Sequence, residues 1–393
     1  MPTSTQNYTI IAYSRRFIRN FVCYKVNAAF RLHFARFVNY FLFFGAYRLP
    51  FFIVRTQSAF SSTTSMLNMD TLSVLRQPVA TEMAEYQALF QAALATDDVY
   101  LGQALAYVGR RSGKMMRPLL VLLMAKEFGR VGQKALYSAV SLELLHTASL
   151  VHDDVVDDSA ERRGQRSVNA VYDNKVAVLV GDYLLSVCLL HSALTSDHRM
   201  VEIIARLGAT LSKGEIDQLA HARGEAISEE IYFHIIQHKT ASLFAACAEL
   251  GALSVDASSE QVANARRFGE ITGTCFQIRD DIFDYFPNAD IGKPTYNDMN
   301  EGKLTLPAIY AVTQTNNAQA MEWAKKVKNG SATRDEMEQL VAYTIEAGGI
   351  DYAQKRMAEL HAEAIELLNK HWHNEAVKTA LKGYIDYVVN REL

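Results

Sequence analysis

Acidic residues are missing from the start of this 393-residue chain: residues 1–68 hold no aspartate or glutamate, eight arginines and lysines, and 11 of the 19 phenylalanines. The first acid is Asp70, directly after Met69. Such a break sets residues 1–68 apart from 69–393 as an appended leader. Three readings of the leader stand. It suits a mitochondrial transit peptide, being basic, serine-bearing and acid-free. It suits a membrane-surface helix, with Phe30, Phe34, Phe37 and Phe41 on one stripe beside Arg31 and Arg36. Or the start is assigned too early, and Met69 is the true beginning. Arg48 and Pro50 interrupt the apolar stretch from Phe37 to Val54, which is short for a transmembrane span.

Other scarcities exclude whole classes. There are only 7 prolines, and no alternating runs bounded by turn dipeptides, which argues against a β-rich chain and for long helices. The four cysteines (Cys23, Cys188, Cys247, Cys275) lie far apart with no C-x-x-C pair. That spacing excludes a disulfide framework and a cysteine zinc site, and suits a reducing compartment. The cytoplasm is therefore the expected location, or the mitochondrion if the leader is a transit peptide. A net charge of -3 gives no global attraction to nucleic acid, so any anion must be bound locally.

What remains reads as helix. Thr81–Ala95, Leu101–Arg110, Arg117–Phe128, Ala135–Asp158, Asn174–Leu194, Ser228–Leu250 and Gln261–Phe286 carry helical spacing or long apolar runs. A coil from Pro287 to Gly302 follows, then amphipathic helices to the end. No fixed-period repeat and no linker interrupts 69–393, so we expect one all-α domain, a single large helical bundle.

Two acid clusters stand out. Asp153-Asp154-x-x-Asp157 ends a long apolar helix, and Asp280-Asp281-x-x-Asp284 repeats its spacing deep in another. On a helix, the first and last acid of each cluster share a face. Each like-charge pair of that kind costs about 0.2–0.5 kcal/mol, and the C-terminal end of the helix dipole adds to it. Such clusters make sense around a cation. A calcium loop needs glycine and a terminal glutamate in a twelve-residue frame, which is absent. Hard oxygen ligands suit Mg²⁺, which leaves positions open for phosphate. A single D-D-x-x-D is more often a solvated face; two copies on apolar helices are not. Cations suited to diphosphate lie around them: Lys114 and Arg117 before a helix start, Arg162 and Arg163 after the first cluster, and Lys239, Lys293 and Lys303 about the second.

These residues resemble the trans-polyprenyl diphosphate synthases, the isoprenoid head-to-tail condensing enzymes. The likeness runs over residues 69–393. It rests on Asp153-Asp154-Val-Val-Asp157 with Arg162-Arg163-Gly164, and on Phe276-Gln277-x-x-Asp280-Asp281-x-x-Asp284. Gly292-Lys293-Pro294, Lys303, Lys239-Thr240, Ser112-Gly113-Lys114-x-x-Arg117-Pro118 and His146 complete it. The resemblance implies an isoprenoid-synthase fold and about three Mg²⁺ held by Asp153, Asp154, Asp157, Asp280, Asp281 and Asp284. It implies that Arg162, Lys239, Lys293 and Lys303 bind the allylic diphosphate, and that Lys114, Arg117, His146 and Arg163 bind isopentenyl diphosphate. Lys239, Thr240 and Gln277 would stabilise the allylic cation. A homodimer is implied, with peripheral membrane contact for product release and no nucleic acid. His146 alone reads equally as a packed core histidine. Ser112 departs from the glycine usual at its position.

The family reads product length one turn before the first cluster. Here Ala148 and Ser149 lie about 6–7 Å below the aspartates, where a phenylalanine would plug a growing tail. Small residues there also let helices pack closely. We expect an open tunnel, a long product such as a quinone side-chain precursor, and Leu145 as the next stop. A geranylgeranyl-length product, and a catalytically silent or membrane-docking partner subunit, are the competing readings. A terpene cyclase would carry a different second metal motif, and a head-to-head synthase would lack the Gly-Lys-x-x-Arg loop.

Overall fold

A computed structural model defines residues 72–110, 113–162, 164–222, 226–286 and 296–391. The leader, Ser112, Arg163 and Lys293 lie outside the described residues.

The described chain is a helical bundle. Its first half runs α1 (Ala80–Ala93), α2 (Val99–Gly109), α3 (Met116–Phe128), α4 (Gln133–Val156), a two-residue β-ladder (Glu161–Arg162 with Gln165–Arg166), α5 (Val168–Tyr172), α6 (Asn174–Leu194) and α7 (His198–Ala222). Then come α8 (Glu229–Ile236), a π-turn (Gln237–Ala241), α9 (Ser242–Leu253), α10 (Ser259–Phe283) and α11 (Asn297–Asn300). Five elements finish the chain: α12 (Leu306–Gln314), α13 (Ala318–Lys328), α14 (Arg334–Glu346), α15 (Gly349–His371) and α16 (Glu375–Asn390). Starts are set by caps. Asp98 accepts the Leu101 N–H at 2.7 Å, and Ser258 with Gln261 forms a capping box, contacts that satisfy otherwise orphaned donors.

Two helices lie at the centre. Leu119 through Ala125 on α3 are all fully buried, and α9 is apolar on nearly every side. A helix without a polar face can only be stable when surrounded. Glycine permits the surround to be tight. A Cβ on Gly251 would lie 2.4 Å from the Val121 carbonyl oxygen of α3, and one on Gly273 of α10 would lie 2.6 Å from the Ala241 Cα. Backbones therefore meet on both sides of the central layer, where any larger side chain would force the helices apart.

Three expectations change. Ser228–Leu250 is not one regular helix but is interrupted by the π-turn, an insertion that often marks a functional position. The second acid cluster is not deep in its helix: α10 stops at Phe283, and Asp284 is its C-cap, as Asp157 is the C-cap of α4. Most consequentially, α7 was not anticipated. Its strongly amphipathic text, rich in charge, looks like an ordinary surface helix, yet it packs against α6, α9 and the π-turn.

Helix α6 is long and apolar enough to cross a membrane by length and composition. One face explains part of that character, since Ala177, Val180, Leu184 and Cys188 are buried against the bundle. The other face presents Leu179, Leu189, Leu190 and Leu194 to solvent. The described cysteines, Cys188, Cys247 and Cys275, are buried free thiols.

Candidate active site

Two helices end in acids, and two cavities lie beside them. The first cavity, about 200 Å³, is lined by Lys239, Thr240, Gln277, Asp281, Asp298 and Lys303, among others. The second, about 400 Å³, is lined by Lys114, Arg117, His146, Arg162, Tyr387 and Arg391, among others.

Within the first cluster the acids differ. Asp154 is 1% exposed, receives the Arg162 Nε at 2.5 Å and lies in the wall of the second cavity. Burial, and then the nearby Glu215, raises the Asp153 carboxyl to about 6 against the pull of Lys239 and Arg162. Burial likewise raises Asp157, which lies within the field of Lys303, Glu301, Glu215 and Lys239. Lys303, donated from the far side of the second cluster, is in turn held up by Glu301, Asp298 and Asp157 against its own desolvation. The two clusters thus look onto one space that Lys239 and Lys303 share.

The second cluster repeats the division of labour. Asp281 is 4% exposed, with Tyr232 Oη donating to Oδ2 at 2.6 Å and Gln277 Nε2 donating to Oδ1 at 2.8 Å. Burial pushes its carboxyl well above the usual range, with Asp298 and Asp280 adding to the rise while the two donors oppose it. Asp280 is more open and receives Arg391 Nη2 at 2.5 Å. Asp284 accepts the backbone N–H groups of Asn297 and Asp298, both at 3.1 Å, and so caps α11. Of the six acids expected to hold metal, Asp154 and Asp281 are buried and accept hydrogen bonds from protein donors. Asp153, Asp157 and Asp280 offer carboxylates to the shared space. The raised proton affinity of half-buried Asp153 and Asp157 fits a hard divalent cation, which would replace the missing positive charge.

The π-turn carries Lys239 and Thr240 into the first cavity. Lys239 Nζ pairs with Glu215 at 2.6 Å and donates to Gln218 Oε1 at 3.0 Å. Thr240 Oγ1 donates to Gln277 Oε1 at 2.7 Å. The adjacent Lys239 and Thr240 are thus brought together with Gln277, 37 residues on from Thr240.

In the second cavity, Lys114 Nζ lies 5.3 Å from the Tyr387 ring centroid, and the Arg117 guanidinium lies 5.3 Å from that of Phe244. The Arg117 Nε is buried with no hydrogen-bond partner. A desolvated cation with unused donors at a cavity wall is suited to a phosphate. Arg162 lines this cavity and is also close enough to Asp153 to pull on its carboxyl. Ala148 is fully buried, and Ser149 Oγ donates to the His146 carbonyl at 2.9 Å. Neither lines the two cavities described here.

Four site residues were missed. Glu215 and Gln218 sit on the unanticipated α7. Tyr232 reads in sequence as one more apolar-face aromatic. Arg391 lies in the terminal stretch, 111 residues from Asp280. A Gly214-Glu215 pair on a helix is a weak signal, and the other two had none.

An all-α bundle with two acid-tipped helices and flanking cationic cavities is built to handle diphosphates with divalent metal. The chain belongs to the polyprenyl synthetase family, whose model matches residues 98–344. It is 32% identical over 316 residues to the octaprenyl diphosphate synthase of Haemophilus influenzae, covering 79% of this chain and 95% of that one. Among solved structures, the geranylgeranyl pyrophosphate synthase of Bacteroides thetaiotaomicron superposes with a TM-score of 0.73 at 46% identity, covering 82% of this chain and 100% of that one. A decaprenyl diphosphate synthase of Rhodobacter capsulatus gives 0.76 at 34% identity, covering 82% and 100%. The protein is a trans-prenyltransferase that elongates prenyl chains, in a family that uses divalent metal.

Proposed function

We propose that the enzyme condenses isopentenyl diphosphate head-to-tail onto farnesyl or geranylgeranyl diphosphate, giving an all-trans product of about six to ten isoprene units. A product of that length would serve as a quinone side-chain precursor. The observation that carries the length is the pair of small residues, Ala148 and Ser149, one turn below Asp153. We take Mg²⁺ as the ion, about three per site, supplying Lewis-acid neutralisation of the allylic diphosphate when bound. Asp153, Asp157 and Asp280 would hold it. Lys239 and Lys303 would bind and orient the allylic diphosphate, with Lys293 added by sequence. Lys114, Arg117 and His146 would bind isopentenyl diphosphate, with Arg162 beside them in the same cavity and Arg163 added by sequence. Gln277 and Thr240 would turn oxygen atoms toward the developing allylic cation, where fixed dipoles count most. We assign no catalytic group to residues 1–68.

A geranylgeranyl-length product is the second reading, favoured by the 46% identity to a structure of that name. Labelled isopentenyl diphosphate, offered with Mg²⁺ and either primer to the purified protein, separates the two by reversed-phase chromatography. A ladder ending at geranylgeranyl overturns the longer reading, and no incorporation overturns both.

We also take the working unit as a homodimer. Val178, Leu179, Leu189, Leu190 and Leu194 of α6 are between 40% and 66% exposed, on a face they share with Asp182 and Ser186, and exposed apolar side chains grouped with polar ones suit an interaction surface.

A further inference from the structure

Gln277 can help an allylic cation only if its amide is turned the right way. Its carbonyl oxygen would stabilise positive charge, and its NH₂ group would repel it. The two ends are nearly the same size, so shape alone does not choose between them. Hydrogen bonds do. The Nε2 donates to Asp281 Oδ1 at 2.8 Å, which points the NH₂ group at a carboxylate and the Oε1 the opposite way. The Thr240 hydroxyl donates to that Oε1 at 2.7 Å, leaving its other lone pair for the cavity that Gln277 lines.

The arrangement is only as fixed as Asp281. A carboxylate with one donor can rotate or tilt. Here its second oxygen is held by Tyr232 Oη at 2.6 Å, from α8, a helix joined to the π-turn that carries Thr240. The Tyr232 ring is itself wedged edge-on against Phe233, with centroids 5.2 Å apart, and is 6% exposed. The sequence Tyr232–Asp281–Gln277–Thr240 therefore forms an unbroken line of hydrogen bonds. It starts in the core and ends at the reacting centre.

The geometry points to Tyr232 as a positioning residue for the condensation: through Asp281 it fixes the amide of Gln277 with its oxygen toward the allylic carbon. This assignment rests on the condensation reading above. It separates the second acid of the cluster from its neighbours, because Asp281 then acts on the cation's surroundings through Gln277 and takes no part in holding metal.

Tyr232→Phe is the test, since it keeps the ring and removes only the hydroxyl. We expect kcat to fall about 10- to 100-fold, with KM for each substrate and the Mg²⁺ half-saturation staying within about twofold. The same substitution made on top of Gln277→Leu should cost nothing further, because residues acting as one unit are not additive. Losses that multiply in the double variant, or an unchanged kcat, overturn the assignment. Should the hydroxyl prove necessary for folding, judged by the melting temperature, Asp281→Asn provides a second measurement. It should lower kcat at an unchanged Mg²⁺ half-saturation, whereas a tenfold rise in half-saturation would make Asp281 a metal ligand and defeat the inference. The unsubstituted enzyme is run alongside: if it fails to condense, the condensation reading falls and this assignment falls with it.

Discussion

Arg391 closes a salt bridge on Asp280 at 2.5 Å from 111 residues along the chain. Its guanidinium also lies 3.9 Å from the Phe276 ring centroid, its Nε is buried without a partner, and it forms part of the wall that bears Lys114, Arg117 and His146. The carbonyl of Arg391 accepts from the Arg279 guanidinium at 2.8 Å, so Arg391 is held by its backbone as well as by its side chain. One arginine thus touches an acid of the cluster and the cavity assigned to isopentenyl diphosphate.

Arg391→Met should therefore weaken isopentenyl diphosphate more than the allylic partner. A hydrogen bond to a charged group contributes about 1.5–3 kcal/mol, which corresponds to roughly a tenfold or greater rise in KM. Steady-state kinetics with each substrate varied in turn measures it. A rise confined to the allylic substrate would place the arginine on the other side of the reaction.

The acids, the long helix α4 and the cations beside it were legible because their information is local. Spacing of three and four residues fixes a shared face, whatever the rest of the chain does. The partners of those acids were not legible. Tyr232 reaches Asp281 across 49 residues, and nothing in the text around either residue points to the other. Helix α7 was passed over for another reason. A helix that is half polar looks the same whether its charges meet water or line a cleft, and Glu215 is recognisable only once Lys239 is seen beside it. The hydrogen bonds on Asp281 were hidden for the same cause, since a carboxylate bound to metal and one bound to tyrosine share a motif.

Product length is tested at two adjacent positions that the structure treats differently. Ser149 is partly exposed, while Ala148 is fully buried. Ala148→Phe should shorten the product to about three or four units, and overpacking should lower stability by about 1–3 kcal/mol as well. Ser149→Phe should shorten the product with less effect on melting. Reversed-phase analysis of the ladder, read beside thermal melts, checks both. An unchanged ladder in the two variants would remove this turn of α4 from the control of length.

Acid should loosen α7 first. Asp197 sits just before that helix and receives the Arg199 Nη2 at 2.6 Å, with the Arg199 backbone N–H at 3.0 Å. The Arg199 side chain above all holds the Asp197 carboxyl down at about 2. A carboxyl whose folded value is depressed contributes stability above its unfolded value, near 3.9, and loses it as pH falls toward the folded value. The contribution is thus complete at neutral pH and disappears between about pH 4 and pH 2. Asp197→Asn should lower the melting temperature at pH 7 and flatten its decline over that acid range. Melts from pH 7 to pH 2 decide it; parallel curves for the two proteins would refute it.

Leu190→Arg on α6 should yield a monomer. The side chain is 58% exposed, so the fold should survive. Light scattering coupled to gel filtration reads the mass directly. A dimer that persists would move the contact to another surface.

The glycine contacts of α9 have one more consequence. With Val121 pressed on one flank and α10 on the other, that helix has no latitude to shift, and it carries the π-turn at its head. Adjustment of the two cavities must then come from their other walls, which include α7 in the first and α4 in the second. The π-turn residues Lys239 and Thr240 thus ride on the part of the bundle least able to move.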